Sequence, residues 1–562
     1  MSSKAKFRVI MCVLFFQFFL FIVTPAFAGH GKELDQTTRL AALGKVWGLL
    51  KYYHPEVAKG EIDWDEVLVS IIPAVKAAED YNSFNREINN LIVQAGDVTI
   101  GDYNPHTPAH PNESLFKWIK DSSVFNNTVR KKLMLVQRKH IPAENYYVQA
   151  GPAGNTYYTN EIGNDDPEHP YPDENHRLLA LYRFWNIIQY FFPYKKDIGE
   201  DWEGVLEEYV PRFVNSVDLW DYQLTMKEVT VRINDTHGYL YSYYLLVRYG
   251  WIYAPVELRY IDGKTIVTRA YDAIMDPPGA LQKGDIILKT HDTDVDEYRE
   301  SVRKYSHGSN ESAKERIISE YVQMGSTWTL PFTILRNGQT MDVSVTGLYS
   351  AYVEQARKAE DLAAGKWKIL PGNIGYVSMG ALAAEDVDAA MTELMTTRAI
   401  IFDLRYNANS TQYLISDYLN PEPVDFAKIT IPSMDYPGEF PCIGIYQTGS
   451  VNPDYYKGKV ILLFDEFTQS HGEFVCMALQ TAPDVTLIGS QTAGSDGNYS
   501  RCWLPGYISF HFSGLGIYYP DGSPTQRIGI VPDIVVRPTV QGIQAGRDEV
   551  LERAIQFIET NQ

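Results

Sequence analysis

The sequence predicts a multidomain α/β protein with duplicated N-terminal helical units, a small β-rich domain and a C-terminal α/β core. Three observations predict it. A helical pattern recurs at a fixed offset, short alternating runs follow it, and apolar runs then alternate with an amphipathic helix. The length agrees, because 562 residues exceed one hydrophobic core and imply about three or four domains.

The first element is a targeting segment. Lys4, Lys6 and Arg8 precede the apolar run "VIMCVLFFQFFLFIV", and the small residues of "AFA" at Ala26–Ala28 precede Gly29. This is the order of a secretory signal peptide over residues 1–28. The run is short for a spanning helix and stops at Thr24-Pro25, so no stable membrane anchor is expected. The expected location is the periplasm, with the cell surface or the medium as alternatives. A net charge of −20 argues against nucleic acid as a partner, since a phosphate backbone needs a basic surface. After the leader only Cys442, Cys476 and Cys502 remain, an odd number that allows at most one internal bridge. No Cys/His spacing suggests zinc, and neither metal nor cofactor is expected.

The next two elements are the repeat. "RLAALGKVWGLLKYYHP" starts at Arg39 and "RLLALYRFWNIIQYFFP" at Arg177, an offset of 138 that persists without a gap. Asp63-Trp64 matches Asp201-Trp202, Pro73 matches Pro211, and Asp97 matches Asp235. The units are assigned to residues 29–170, with a linker, and 171–249. Their ends differ: "AGDVTIGDY" in one, "INDTHGYLY" in the other. His237 falls where the first copy has Thr99, so the helical scaffold does not itself require a histidine. An ordinary helix-end histidine is the other reading.

From residue 250 to 348 the texture is that of a small β domain, with runs such as "VELRYIDGKTIVTRA" and "TLPFTILRNGQTMDVSV" broken at Asp262-Gly263 and Asn337-Gly338. "GALQKGDIILKTHDTDVDEYRES" resembles part of a PDZ domain, a fold that takes extended peptides at a sheet edge. Residues 349–562 form the last element. "IGYVSMG", "AIIFDLR", "KVILLFD" and "VTLIGS" read as buried parallel strands, and "AEDVDAAMTELM" as an amphipathic helix between them.

Five motifs in order, "IGYVSMG", "IIFDLRYNANS", "ILLFDEFTQSHGEF", "LIGSQTAG" and "DGSPTQRIGIVPDIVV", resemble the core of the S41 serine peptidases. That family includes the C-terminal processing and tricorn-type peptidases. The resemblance implies a ClpP/crotonase-like core, a peptide or protein substrate, and Ser470 as nucleophile at a helix start. A helix N-terminus suits an alkoxide or oxyanion; a plain N-cap is the other reading. The resemblance also implies an oxyanion hole from the backbone N–H groups of His471 and Ser410. Ser495 stands where processing peptidases carry a lysine base, so the implied base is the tricorn-type histidine, His237, with Thr236 beside it. The turn that carries a supporting glutamate has Gln526, and Asn409-Ser410 replace the usual glycines. Glu473, three residues after Ser470, has capping-box spacing.

Two main readings follow. One is an exported serine peptidase using Ser470 and His237. The other is a catalytically impaired peptide-binding protein on the same scaffold, which Gln526 and Asn409-Ser410 would explain. Acyl transfer on another substrate is a third, with no CoA-binding signature behind it. The sequence leaves the oligomeric state open.

Overall fold

A computed structural model describes residues 33–96, 113–138, 144–163, 168–406 and 408–560. The leader expected over residues 1–28 and the repeat positions Asp97 and Thr99 lie outside these residues. The architecture is mixed α/β, with five sheets and many helices among the described residues. No described helix is long and apolar enough to cross a membrane. Cys442, Cys476 and Cys502 are all free thiols.

The helical region is organised by two long helices, α1 (Gln36–Tyr53) and α2 (Glu174–Phe191), each capped by an aspartate, Asp35 or Asp173. Both are buried nearly all round, so neither shows a strong apolar stripe. Their surroundings recur at the offset read from the sequence. The Trp47 indole donates to Trp64 O and the Trp64 indole to Trp47 O; Trp185 and Trp202 make the same reciprocal pair. Arg39 donates to the carbonyls of Leu34, Val75 and Lys76, and Arg177 to those of Pro172, Phe213 and Val214.

The two helices touch where glycine permits it. A Cβ at Gly44 would lie 2.5 Å from the Tyr182 ring, and one at Gly48 only 1.9 Å from Asn186 Oδ1. Asn186 Nδ2 donates to Gly44 O at 3.0 Å, and Tyr182 Oη to Leu40 O at 2.8 Å. Beside this crossing lies a buried ion cluster. Lys51 Nζ is 2.8 Å from Asp65 and from Glu161, while Arg183 pairs with both carboxylates and donates to Trp503 O at 2.9 Å. Two cations face two carboxylates, so no net charge is left in the core.

The middle region folds as a sheet of antiparallel strands. Its edge strand β1 (Val256–Ile261) packs against helix α3 (Glu311–Gln323). Positive φ at Asp262, Gly263, Asn337 and Gly338 makes the two tight turns the sequence marked.

The C-terminal core is a sheet of six strands: β2 (Trp367–Leu370), β3 (Ile374–Ser378), β4 (Ala399–Asp403), β5 (Lys459–Phe464), β6 (Val485–Gly489) and β7 (Ile534–Val535). Every pairing from β3 onward is parallel, and only the edge strand β2 runs antiparallel. Apolar side chains cover both faces, which is why β3 to β6 read as apolar runs. After β6 the chain leaves this sheet in a hairpin, Tyr499–Leu504 and Ile508–Ser513. Strand Leu240–Ser242, three residues past His237, adds to the hairpin's edge. Leu504, Ile508, Phe510 and Phe512 are buried in the helical core, each contributing about 1.5–3 kcal/mol. The helical region and the core are therefore welded at the point where His237 emerges.

Gly48→Ala should cost about 1–3 kcal/mol of stability, because Asn186 is itself hydrogen-bonded and cannot give way freely. Gly444→Ala, whose added Cβ meets nothing within 4 Å, should be near neutral in the same urea titration.

Candidate active site

Ser470 lies in the turn between β5 and helix α4 (His471–Leu479). Its backbone is held at φ 56° and ψ −120°, a left-handed conformation that costs a non-glycine residue about 1–3 kcal/mol. Several bonds hold it there. Its N–H donates to Ser495 O at 2.9 Å and to Glu473 Oε2 at 3.2 Å. Glu473, fully buried, also accepts from Thr492 Oγ1, Gly494 N and Ser495 N. Burial raises its pKa while those donors oppose the rise. Glu473 thus makes half of a capping box, its carboxylate returning to the N-cap N–H. The other half is missing: Ser470 Oγ does not cap α4 and instead reaches Gly497 O at 3.5 Å. A serine whose hydroxyl is withheld from its own helix is available for other chemistry.

The turn before Ser470 is gripped from the small β region. Arg259 Nη1 donates to Asp465 Oδ2 at 2.6 Å, and its guanidinium lies 4.4 Å from the centre of the Phe467 ring. Arg316 donates to Glu466 O at 2.9 Å and to the Gln469 side chain.

The backbone N–H groups of Ser410 and His471 donate to no protein acceptor among the described residues. Ser410 Oγ and His471 Nε2 are 3.1 Å apart, so the His471 ring is engaged with the Ser410 turn and not with Ser470. Asn409 secures that turn by donating from Nδ2 to Leu382 O at 2.9 Å and from its backbone N–H to Met379 O at 3.0 Å.

His237 is buried beside Ser495 and Ser513. Its Nδ1 is 3.0 Å from Ser513 Oγ, and Ser513 Oγ donates to Asp235 Oδ1 at 2.9 Å. Since the Ser513 proton goes to the carboxylate, Ser513 accepts from His237, which assigns the Nδ1–H tautomer and leaves Nε2 with the lone pair. Burial lowers the His237 pKa below its usual 6.5; the Asp235 charge opposes the shift and the Arg316 charge adds to it. The ring is neutral at pH 7.

Asp235 is the hub. It also accepts from Ser495 Oγ at 2.7 Å, Ser513 N at 2.6 Å, His237 N at 3.0 Å and Gln526 Nε2 at 3.2 Å. Gln526 is therefore a donor to a carboxylate, and the negative charge near the imidazole comes from Asp235. Thr236 touches neither the Ser470 hydroxyl nor the imidazole; its side chain binds Ser309 Oγ and Ala493 O, fixing the segment.

Ser470 and His237 share the segment from Ser495 to Tyr499 as a common wall. Ser495 O holds Ser470 N, Ser495 Oγ accepts from His237 N at 3.2 Å, and the Tyr499 ring lies 6.1 Å from the imidazole. Among the described residues no hydrogen bond joins the two side chains directly. Sequence reasoning missed the part played by Asp235, Ser495 and Ser513. Only Asp235, two residues before His237, offered a local signal. No group of acidic, histidine or cysteine side chains suited to a metal occurs among the described residues.

The family model described as peptidase family S41 matches residues 373–536. No curated protein matches the chain. Among solved structures, mature CPAF complexed with lactacystin aligns over 69% of this chain and 99% of its own, with 13% identity and a TM-score of 0.53. Mature CPAF alone aligns over 69% and 98%, with 13% identity and a TM-score of 0.52. At that identity the likeness speaks of fold. Residues 373–536 thus match the S41 peptidase family model, within a chain whose fold resembles that of mature CPAF.

Proposed function

We propose that this protein is a serine peptidase that hydrolyses peptide bonds with Ser470 as nucleophile and His237 as general base. The observation that carries the reading is the strained, uncapped Ser470 at a helix start, which shares the Ser495 segment with a histidine whose tautomer presents Nε2. Ser470 Oγ leaves the Gly497 carbonyl, gives its proton to His237 Nε2 and bonds to the substrate carbonyl carbon. The oxyanion is held by the Ser410 and His471 N–H groups, which have no protein acceptor among the described residues. His237 then hands its proton to the departing amine. Water repeats the sequence on the acyl-enzyme and restores Ser470. Asp235, acting through Ser513, orients the imidazole and stabilises its cation. Thr236 and Gln526 are positioning residues for that carboxylate. The leader at residues 1–28 would place the activity outside the cytoplasm.

The S41 match supports this reading over a peptide-binding relic. So does the Asp235 hub, since the charge that Gln526 lacks is supplied elsewhere.

The test is the protein from Gly29 onward incubated with a complex peptide mixture, with new termini read by mass spectrometry. Ser470→Ala and His237→Ala should each lower turnover by about 10³-fold or more. Cleavage that persists in His237→Ala would remove His237 as the base. The pH profile gives a second check. The base must be neutral, so activity is present above its pKa and lost as pH falls through it; the acid limb of kcat/KM should lie below pH 6.5. Asp235→Asn removes the charge that holds this pKa up, and should move the limb further toward acid while lowering kcat.

A further inference from the structure

The hairpin Tyr499–Leu504 and Ile508–Ser513 lies in its sheet between the short strands Thr156–Tyr157 and Leu240–Ser242. Along its first strand the side chains alternate: Ser500, Cys502 and Leu504 are buried, while Tyr499, Arg501 and Trp503 are exposed. The register sets Ser513 opposite Tyr499 and Tyr157 beside Arg501, so all of these share one face. The Ser513 hydroxyl is 3.0 Å from the His237 imidazole, so that face begins at the candidate base. Tyr499 borders both halves of the site. Its ring lies 6.1 Å from the imidazole, and Gly497, two residues earlier, supplies the carbonyl 3.5 Å from Ser470 Oγ. Arg501 stands two residues past Tyr499, about 6.6 Å further along the strand. It is the one charged side chain of this sheet's strands among the described residues. Its guanidinium lies 4.3 Å from the centre of the Trp503 ring and makes no hydrogen bond or ion pair among the described residues. His511, its cross-strand partner, is neutral at pH 7, because burial and the Arg501 charge push its pKa down to about 4. A guanidinium held on an aromatic ring, with its donors uncommitted, suits a carboxylate. The chain carries a net charge of −20, so this cation stands out against a field that repels acidic ligands elsewhere.

Resting on the peptidase reading of Ser470 and His237, we propose that this face carries the part of the substrate on the amine side of the scissile bond, and that Arg501 is its specificity-determining residue, selecting an aspartate or glutamate side chain. His237 hands its proton to the departing amine, so the residues that follow that amine run past the imidazole. The surface that adjoins the imidazole is the row Tyr499, Arg501 and Trp503. An extended peptide rises about 3.3 Å per residue, so one that starts at His237 brings about its second or third residue to Arg501. The Tyr499 and Trp503 rings on either side pack against the neighbouring side chains.

The probes are fluorescent peptides alike except for glutamate or glutamine at positions scanned on both sides of one mapped scissile bond. One set has an amidated carboxyl terminus, so that only a side chain carries the charge, and a matched set has a free one. The ratio kcat/KM is read on the wild type, and affinity by anisotropy on Ser470→Ala. Among amidated peptides, glutamate should be favoured about threefold to fivefold at about the second or third position past the bond, the size of an exposed charge pair, and the preference should fade at about 1 M salt. Arg501→Gln should erase the preference and Arg501→Lys should keep part of it, while Arg501→Glu should turn it toward lysine; glutamine peptides should be unaffected throughout. A glutamate preference confined to the acyl side of the bond, one that survives in Arg501→Gln, or one that needs a free carboxyl terminus overturns the proposal. Equal rates for glutamate and glutamine peptides in the wild type also overturn it, and that comparison stands even if an Arg501 variant misfolds. Glutamate-selective binding that Arg501→Gln abolishes, without any cleavage by the wild type, supports Arg501 and sinks the peptidase reading, so the two fail separately.

Discussion

One buried carboxylate holds the candidate site together. Asp235 gathers donors from its own segment, from the loop after β6, from the hairpin and from the turn containing Gln526. These pieces lie up to 291 residues apart in the chain. Each donor meets an acceptor already stripped of water, so each bond is stronger than its exposed counterpart, and the set is satisfied only when all are in register. The position of His237, its tautomer and the wall it shares with Ser470 all descend from that one requirement.

Ser470 is governed by the opposite kind of economy. Its backbone is strained, and the surroundings over-determine it: Glu473 and Ser495 from the core, Arg259 and Arg316 from the small β region one turn upstream. The left-handed geometry persists because several independent contacts would have to yield together. A plain N-cap needs none of this, since extended backbone and a hydroxyl pointed at its own helix suffice.

Parallel strands buried on both faces must be apolar throughout, so β3 to β6 were legible as runs, and the helix between β3 and β4 as a periodic stripe. Asp262-Gly263 and Asn337-Gly338 were legible because few dipeptides accept positive φ. Ser470, His237 and the N–H groups at Ser410 and His471 came from ordered motifs. The hairpin was not legible as part of the helical core: Ile508–Ser513 is buried on both sides, and its serines and His511 break the apolar run that such burial otherwise leaves. Ser495 and Ser513 carry no spacing signal, since a hydroxyl that serves a carboxylate 260 or 278 residues away looks like any other serine. Gln526 was read as a lost charge because the residue that supplies it, Asp235, stands in a different segment.

The insertion of Phe510 and Phe512 into the helical core bears on when Ser470 and His237 first share a wall. Neither the helical region nor the C-terminal core contains both candidate residues, and the hairpin's apolar bed exists only where the two meet. Contacts of such long sequence separation close late, after the loop entropy between them has been met by local structure. A chain still being synthesised therefore carries Ser470 and His237 as residues not yet brought together. On the peptidase reading, the topology acts as a safety catch released by completion of the fold.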